Sequence, residues 1–191
     1  ALGLDESALK YGLGMQRQAL RGEAGPSAQA ALFHGGGDER TRLAQEVILG
    51  IGGVRLLRAH GHCHPGNILW TPDAGPHFVD LDDARTAPAV QDLWMLLSGD
   101  RSQRQRQLGA LLDGYEQMRE FDRAELALIE PLRTLRLLHY SAWIARRWAD
   151  PAFPIAFPWF ESPAYWNEQT TRLSEQLEAM GEPPLGSPLA D

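Results

Sequence analysis

Two short apolar runs, Ile68 to Trp70 and His77 to Leu81, are separated by Thr71, Pro72, Asp73, Ala74, Gly75 and Pro76 and have polar clusters on both sides. Proline, aspartate and glycine between two apolar segments are turn chemistry, so this stretch reads as a β-hairpin from about Ile68 to Leu81. Immediately before it stands His60-Gly61-His62-Cys63-His64-Pro65-Gly66-Asn67, and its second strand runs into Phe78-Val79-Asp80-Leu81-Asp82-Asp83. A hairpin returns the chain to where it started, so the two polar clusters are expected to meet at its base.

What surrounds the hairpin reads as mostly helical. Val54 to Ala59 reads as a strand, but from Pro88 onward the spacing of Val90, Leu93, Trp94 and Leu97 is that of a helix. Leu108, Leu111, Leu112 and Tyr115 mark a second helix, and a third opens at Asp122, where Asp122 and Glu125 resemble a capping box. Pro131 is expected to break or kink that third helix, whose continuation carries Leu135, Leu138, Trp143 and Ile144. Asp150 to Phe160 is too rich in aromatics to float free and is expected to pack on the helices. A last helix opens at Ser162 and Pro163, with Trp166, Leu173, Leu177 and Met180 on it. The tryptophans at 94, 143, 148 and 166 are most simply core. The fold class is therefore α+β, mostly helical, with one short hairpin.

Residues 1–37 are poorly patterned and end in Gly35, Gly36 and Gly37, after which Asp38 can cap a helix running to about Leu49. The expected organisation is a weakly specified N-terminal segment over 1–53, one lobe over 54–184 and a mobile Pro-rich tail over 185–191. With 191 residues and 43% hydrophobic content, one core is the expectation.

Composition removes several function classes. A net charge of −7 offers no basic face to neutralise phosphates, so nucleic acid is not an expected partner. One cysteine, Cys63, allows no internal disulfide, and no apolar run approaches the roughly 20 residues of a membrane span. The N-terminus shows no basic stretch followed by an apolar one, so the expected compartment is the cytoplasm, the expected state a monomer, and the start reads as truncated rather than processed.

The polar clusters suit phosphoryl transfer, which needs a group to orient or deprotonate the attacking hydroxyl and oxygen ligands for Mg²⁺. An Asn five residues after the base position brings an amide oxygen to the metal, and an Asp after the next hairpin strand adds a carboxylate, both hard ligands. His-Gly-x-x-His-x-x-Asn followed by Val-Asp-x-x-Asp resembles the catalytic segments of aminoglycoside phosphotransferases, choline kinases and the stress response kinase A family. Phe78-Val79-Asp80-Leu81-Asp82-Asp83-Ala84-Arg85, Pro88-Ala89-Val90-Gln91-Asp92-Leu93-Trp94-Met95-Leu96-Leu97 and Arg146-Arg147-Trp148-Ala149-Asp150-Pro151-Ala152-Phe153-Pro154 are most similar to the last of these. The resemblance covers about residues 55–184. It implies the catalytic lobe of a protein-kinase-like fold, using ATP and Mg²⁺ to phosphorylate serine or threonine on a protein substrate in stress response. It further implies that Asn67 and Asp80 bind Mg²⁺, with Asp80 holding the nucleotide phosphates through it, that His60 packs inward, and that Asp92 accepts hydrogen bonds from the catalytic-loop amides. Asp82 and Asp83 read either as a second metal ligand and a helix-start carboxylate or as solvated charges.

Two departures bear on activity. The family's catalytic aspartate falls at position 62, where this chain has His62, so the base is an imidazole and impaired activity is expected. Of the 18 basic residues only Lys10 is lysine, and residues 1–53 read as too few for the nucleotide-binding sheet that carries the family's lysine, so that lobe is expected to be missing. The alternatives are a pseudokinase or binding scaffold that kept the fold and lost the chemistry, and a small-molecule phosphotransferase acting on aminoglycoside-like or choline-like substrates. A remote alternative is a Zn²⁺ module built from His60, His62, Cys63, His64 and His77.

Overall fold

The computed structural model describes residues 54–186. The helix read from Asp38, Lys10 and the extreme C-terminus lie outside the described residues. The described residues divide into two compact units: residues 54–129 with 183–186, and Glu130–Glu182.

The first unit carries both small antiparallel sheets. Strand β2 (Ile68–Thr71) pairs with β3 (Gly75–Phe78) in the register Ile68↔Phe78 and Thr71↔Gly75, which is the hairpin read from the turn residues. Gly75, at φ +75°, supplies the left-handed turn residue that closes it. Strand β1 (Leu57–Ala59) is shorter than the strand read over Val54 to Ala59 and pairs with β4 (Arg85–Ala87), just beyond the hairpin. This second pairing holds the start of the polar loop beside the residues that follow Asp80.

The segment from Pro88 departs from expectation. It forms two short 3-10 turns, Ala89–Asp92 and Trp94–Leu96, instead of one α-helix. Apolar residues three apart satisfy a 3-10 turn as well as an α-helix, and Val90, Leu93, Trp94 and Leu97 are all buried. Helix α1 (Arg101–Glu116) follows, opened by a reciprocal capping box between Asp100 and Gln103 and anchored by buried Leu108 and Leu112. The capping box expected at Asp122 and Glu125 does not form. Asp122 does cap a 3-10 segment over Arg123–Leu128 through the Ala124 amide, but Glu125 turns inward and accepts from the Val90 amide. Leu185 is fully buried in this unit.

The second unit is helical. Helix α2 (Ile129–Arg147) starts just before Pro131, so the proline occupies the first turn, where its missing N–H costs no bond, and the expected kink is the helix start itself. Helix α3 (Ala152–Ala156) is a short piece inside the aromatic loop, and α4 (Pro163–Gly181) opens on the Ser162 side chain, which accepts from the Tyr165 amide. Leu138, Ile144, Phe160, Tyr165, Trp166 and Leu173 form the core of this unit, with Phe153 and Phe157 packed against them, so the 150–160 loop does pack on the helices. Ser141 and the Tyr165 hydroxyl, 2.8 Å apart, pair a buried polar group on α2 with one on α4. The mixture of helices and two small antiparallel sheets is the expected α+β class. Among the described residues no helix is long and apolar enough to cross a membrane.

Candidate active site

The loop from His60 to Asn67 is held from beneath by one carboxylate. The backbone amides of His60 and Gly61 donate to the two oxygens of Asp92, at 2.7 and 2.8 Å, and the side-chain amide of Gln91 donates to the Gly61 carbonyl at 2.9 Å. Successive amides aimed at one anion make charge-assisted bonds stronger than neutral ones, and this is the role expected of Asp92. Gln91 was not anticipated. Its signal was an adjacent pair of hydrogen-bonding residues inside an apolar run.

Close approach makes a glycine necessary at position 61. Gly61 has φ +84°, and a Cβ there would stand 2.3 Å from the Asp83 carbonyl oxygen. Gly61→Ala is expected to destabilise the chain by about 2 kcal/mol or more, since left-handed strain alone costs roughly 1–2 kcal/mol. A chemical denaturation midpoint unchanged by the substitution would contradict this.

Asn67 is buried at the base of the hairpin, and Asp80 is exposed directly beside it. The Asn67 side-chain amide nitrogen donates to the His62 carbonyl at 3.1 Å and to Asp80 Oδ2 at 3.3 Å, while the Val79 amide donates to the Asn67 carbonyl at 3.0 Å. His60 points inward, its Nε2–H donating to the Val79 carbonyl at 2.8 Å, so the loop start is tied to the residue preceding Asp80. Asp80 itself adopts φ +63° and ψ +61°, and is the sole non-glycine residue with positive φ among those described. Aspartate tolerates this region better than most residues, yet it still costs free energy, and such strain concentrates at functional positions.

His62 stands in the middle of the loop, half-buried. Its Nδ1 lies 3.5 Å from Asp83 Oδ2, and its ring meets that of His64 edge-on at 4.6 Å. Asp83 in turn binds Arg85 through both Oδ1 and its carbonyl, each at 2.8 Å. Asp83 is thus a bracket between His62, Arg85 and Gly61, a role that neither reading of its carboxylate in the sequence had assigned.

The five candidate Zn²⁺ ligands do not converge. His60 is bonded to Val79, His64 accepts from the Gly66 amide, and His77 lies with the Thr71 hydroxyl on the hairpin. Among the described residues no three His, Cys, Asp or Glu side chains gather as a metal-holding group. Cys63 is buried, and burial, reinforced by the negative charge of Asp92, pushes its thiol up to about 11. A thiolate is the form that binds metal or attacks an electrophile, so at pH 8 iodoacetamide is expected to label Cys63 only after the chain is unfolded. Rapid labelling of the folded chain would show the thiol to be accessible.

Mg²⁺ is a different test, because it asks for few protein ligands and keeps its water. The Asn67 side-chain nitrogen bonds both the His62 carbonyl and Asp80 Oδ2, so the two side chains stand together, and the Asn67 amide oxygen and the Asp80 carboxylate are the hard oxygen atoms they would offer a metal. One neutral and one anionic oxygen donor on neighbouring side chains fit the donor chemistry of a metal shared with nucleotide phosphates.

Comparison with known proteins follows the same lines. Residues 9–129 match the model of the phosphotransferase enzyme family. Over 130 residues, 68% of its length, the chain is 58% identical to stress response kinase A of Escherichia coli strain K12. It is 57% identical over 129 residues to serine/threonine protein kinase RdoA of Salmonella typhimurium strain LT2, and 57% identical over 130 residues to stress response kinase A of Shigella flexneri. The chain spans 39% of the length of each of these relatives.

Proposed function

The chain belongs to the phosphotransferase enzyme family, and from that membership we propose that it is the catalytic lobe of an ATP-dependent protein kinase of the stress response kinase A type. Its reaction is transfer of the γ-phosphoryl group of ATP to a serine or threonine hydroxyl of a protein substrate. The carrying observation is the juxtaposition of the Asn67 amide and the Asp80 carboxylate at the hairpin base, above a loop gripped by Asp92. In this reading Asn67 and Asp80 hold Mg²⁺, which supplies charge neutralisation on the transferring phosphate. The catalytic loop presents His62 to the attacking hydroxyl, and its imidazole receives the proton as the new O–P bond forms and the bond from the γ-phosphorus to the β–γ bridging oxygen breaks, with ADP as the leaving group. The working compartment is the cytoplasm, and the working state is a monomer.

His62 leaves this chemistry weakened. An imidazole beside a divalent cation lacks the negative charge with which an aspartate orients and deprotonates the hydroxyl. Its approach to Asp83 favours a second reading, a pseudokinase that binds without transferring phosphate. One assay separates the two: the chain with Mg²⁺, γ-labelled ATP and casein, followed by phosphoamino-acid analysis. Slow labelling of serine or threonine, abolished by Asp80→Ala, is expected. Retention of labelled ATP with no transfer would leave the binding reading in its place.

A further inference from the structure

Buried in the first unit, and unused by the chemistry above, is a second carboxylate. Glu125 is only 2% exposed, on the 3-10 segment Arg123–Leu128, and its Oε2 accepts from the Val90 amide at 2.9 Å. Val90 is itself wholly buried and sits in the first turn of the 3-10 helix Ala89–Asp92. The first amides of a helical turn have no partner within it, and here water cannot reach them, so Glu125 is what satisfies this one. Burial pushes the Glu125 carboxyl above the usual carboxylate range, and the Val90 amide pulls it part of the way back.

The other end of the same turn holds the loop. Gln91 and Asp92 make three bonds to His60 and Gly61, through the two amides and the Gly61 carbonyl. The turn is four residues long, too short to flex between its ends without losing its own hydrogen bonds. We propose that Glu125 is a positioning residue for the His60–Asn67 loop: by holding the start of the Ala89–Asp92 turn, it sets where Gln91 and Asp92 grip His60 and Gly61. Calling that loop catalytic rests on the kinase reading above, but the mechanical coupling does not.

Amide hydrogen exchange of the full chain, followed residue by residue, tests the coupling without any need for phosphotransfer. Glu125→Ala is expected to speed exchange at Val90, His60 and Gly61 at least tenfold, the size expected for loss of a hydrogen bond to a charged group, while Leu108 and Leu112 in α1 keep their protection. Glu125→Gln, which retains an acceptor oxygen for Val90, is expected to restore loop protection to within about threefold of the parent. Unchanged exchange at His60 and Gly61 in the alanine variant overturns the proposal, as does an equal rise throughout α1, which would make Glu125 a general core residue. If the alanine variant does not fold, the parent chain decides: Val90, His60 and Gly61 are expected to share one opening equilibrium and one denaturant dependence. Separate values for Val90 and the two loop amides would overturn it. Absence of kinase activity alongside coupled exchange would remove the functional reading and leave the positioning role standing.

Discussion

His62→Asp is expected to raise phosphotransfer to a protein substrate at least tenfold in the chain completed with the remaining segments of the Escherichia coli relative. General-base assistance contributes about 10²–10⁴ in rate, and an imidazole supplies only part of it. The carboxylate would stand near Asp83, at the position from which the His62 ring reaches it across 3.5 Å. Arg85 already binds Asp83, so the added negative charge meets a partly compensated neighbour. In the same background Asp80→Ala is expected to abolish transfer, because it removes the carboxylate bonded to Asn67. Steady-state rates with γ-labelled ATP measure both. A histidine form as fast as the aspartate form would sink the idea, placing a competent base at His62 or elsewhere.

Asp92→Ala is expected to lower the stability of the first unit by about 3 kcal/mol. Two backbone amides lose charge-assisted bonds worth roughly 1.5–3 kcal/mol each, and the lower end applies because the loop is half-buried. For a chain of this size that corresponds to a melting temperature lower by about 6–12 °C. Asp92→Asn keeps one acceptor oxygen but turns an NH₂ toward the second amide, so it is expected to recover less than half of the loss. Thermal melts by circular dichroism separate these values. A shift below about 2 °C for the alanine variant would mean that the His60 and Gly61 amides find water or another acceptor at little cost.

Several features were legible because they are local. The Thr71–Pro76 turn chemistry dictates the hairpin, and the hairpin brings Asn67 and Asp80, 13 positions apart, within hydrogen-bonding distance. The opening of α4 at Ser162 follows from a hydroxyl and a proline at the first positions of a helix. The packing of the 150–160 loop follows from its aromatic content, since so much apolar surface is stabilised by leaving water.

Other features depend on residues that lie further apart in the chain. The partner of β1 is a three-residue strand 28 positions away, too short to carry a periodic signal. Asp122 and Glu125 satisfy the spacing of a capping box, yet a buried amide 35 positions away takes the Glu125 carboxylate instead. The apolar spacing after Pro88 fits α-helix and 3-10 turn alike, and the choice falls to the carboxylates that hold the turn at its two ends. His62 shows the same division. The order of residues places an imidazole, and not a carboxylate, in the middle of the loop. Only the fold determines that its ring faces Asp83 while its carbonyl takes the Asn67 amide. Turn preference and hydrophobic periodicity act between neighbours and can be read in order, whereas a polar side chain's partner is settled by which buried donors and acceptors packing leaves unsatisfied beside it.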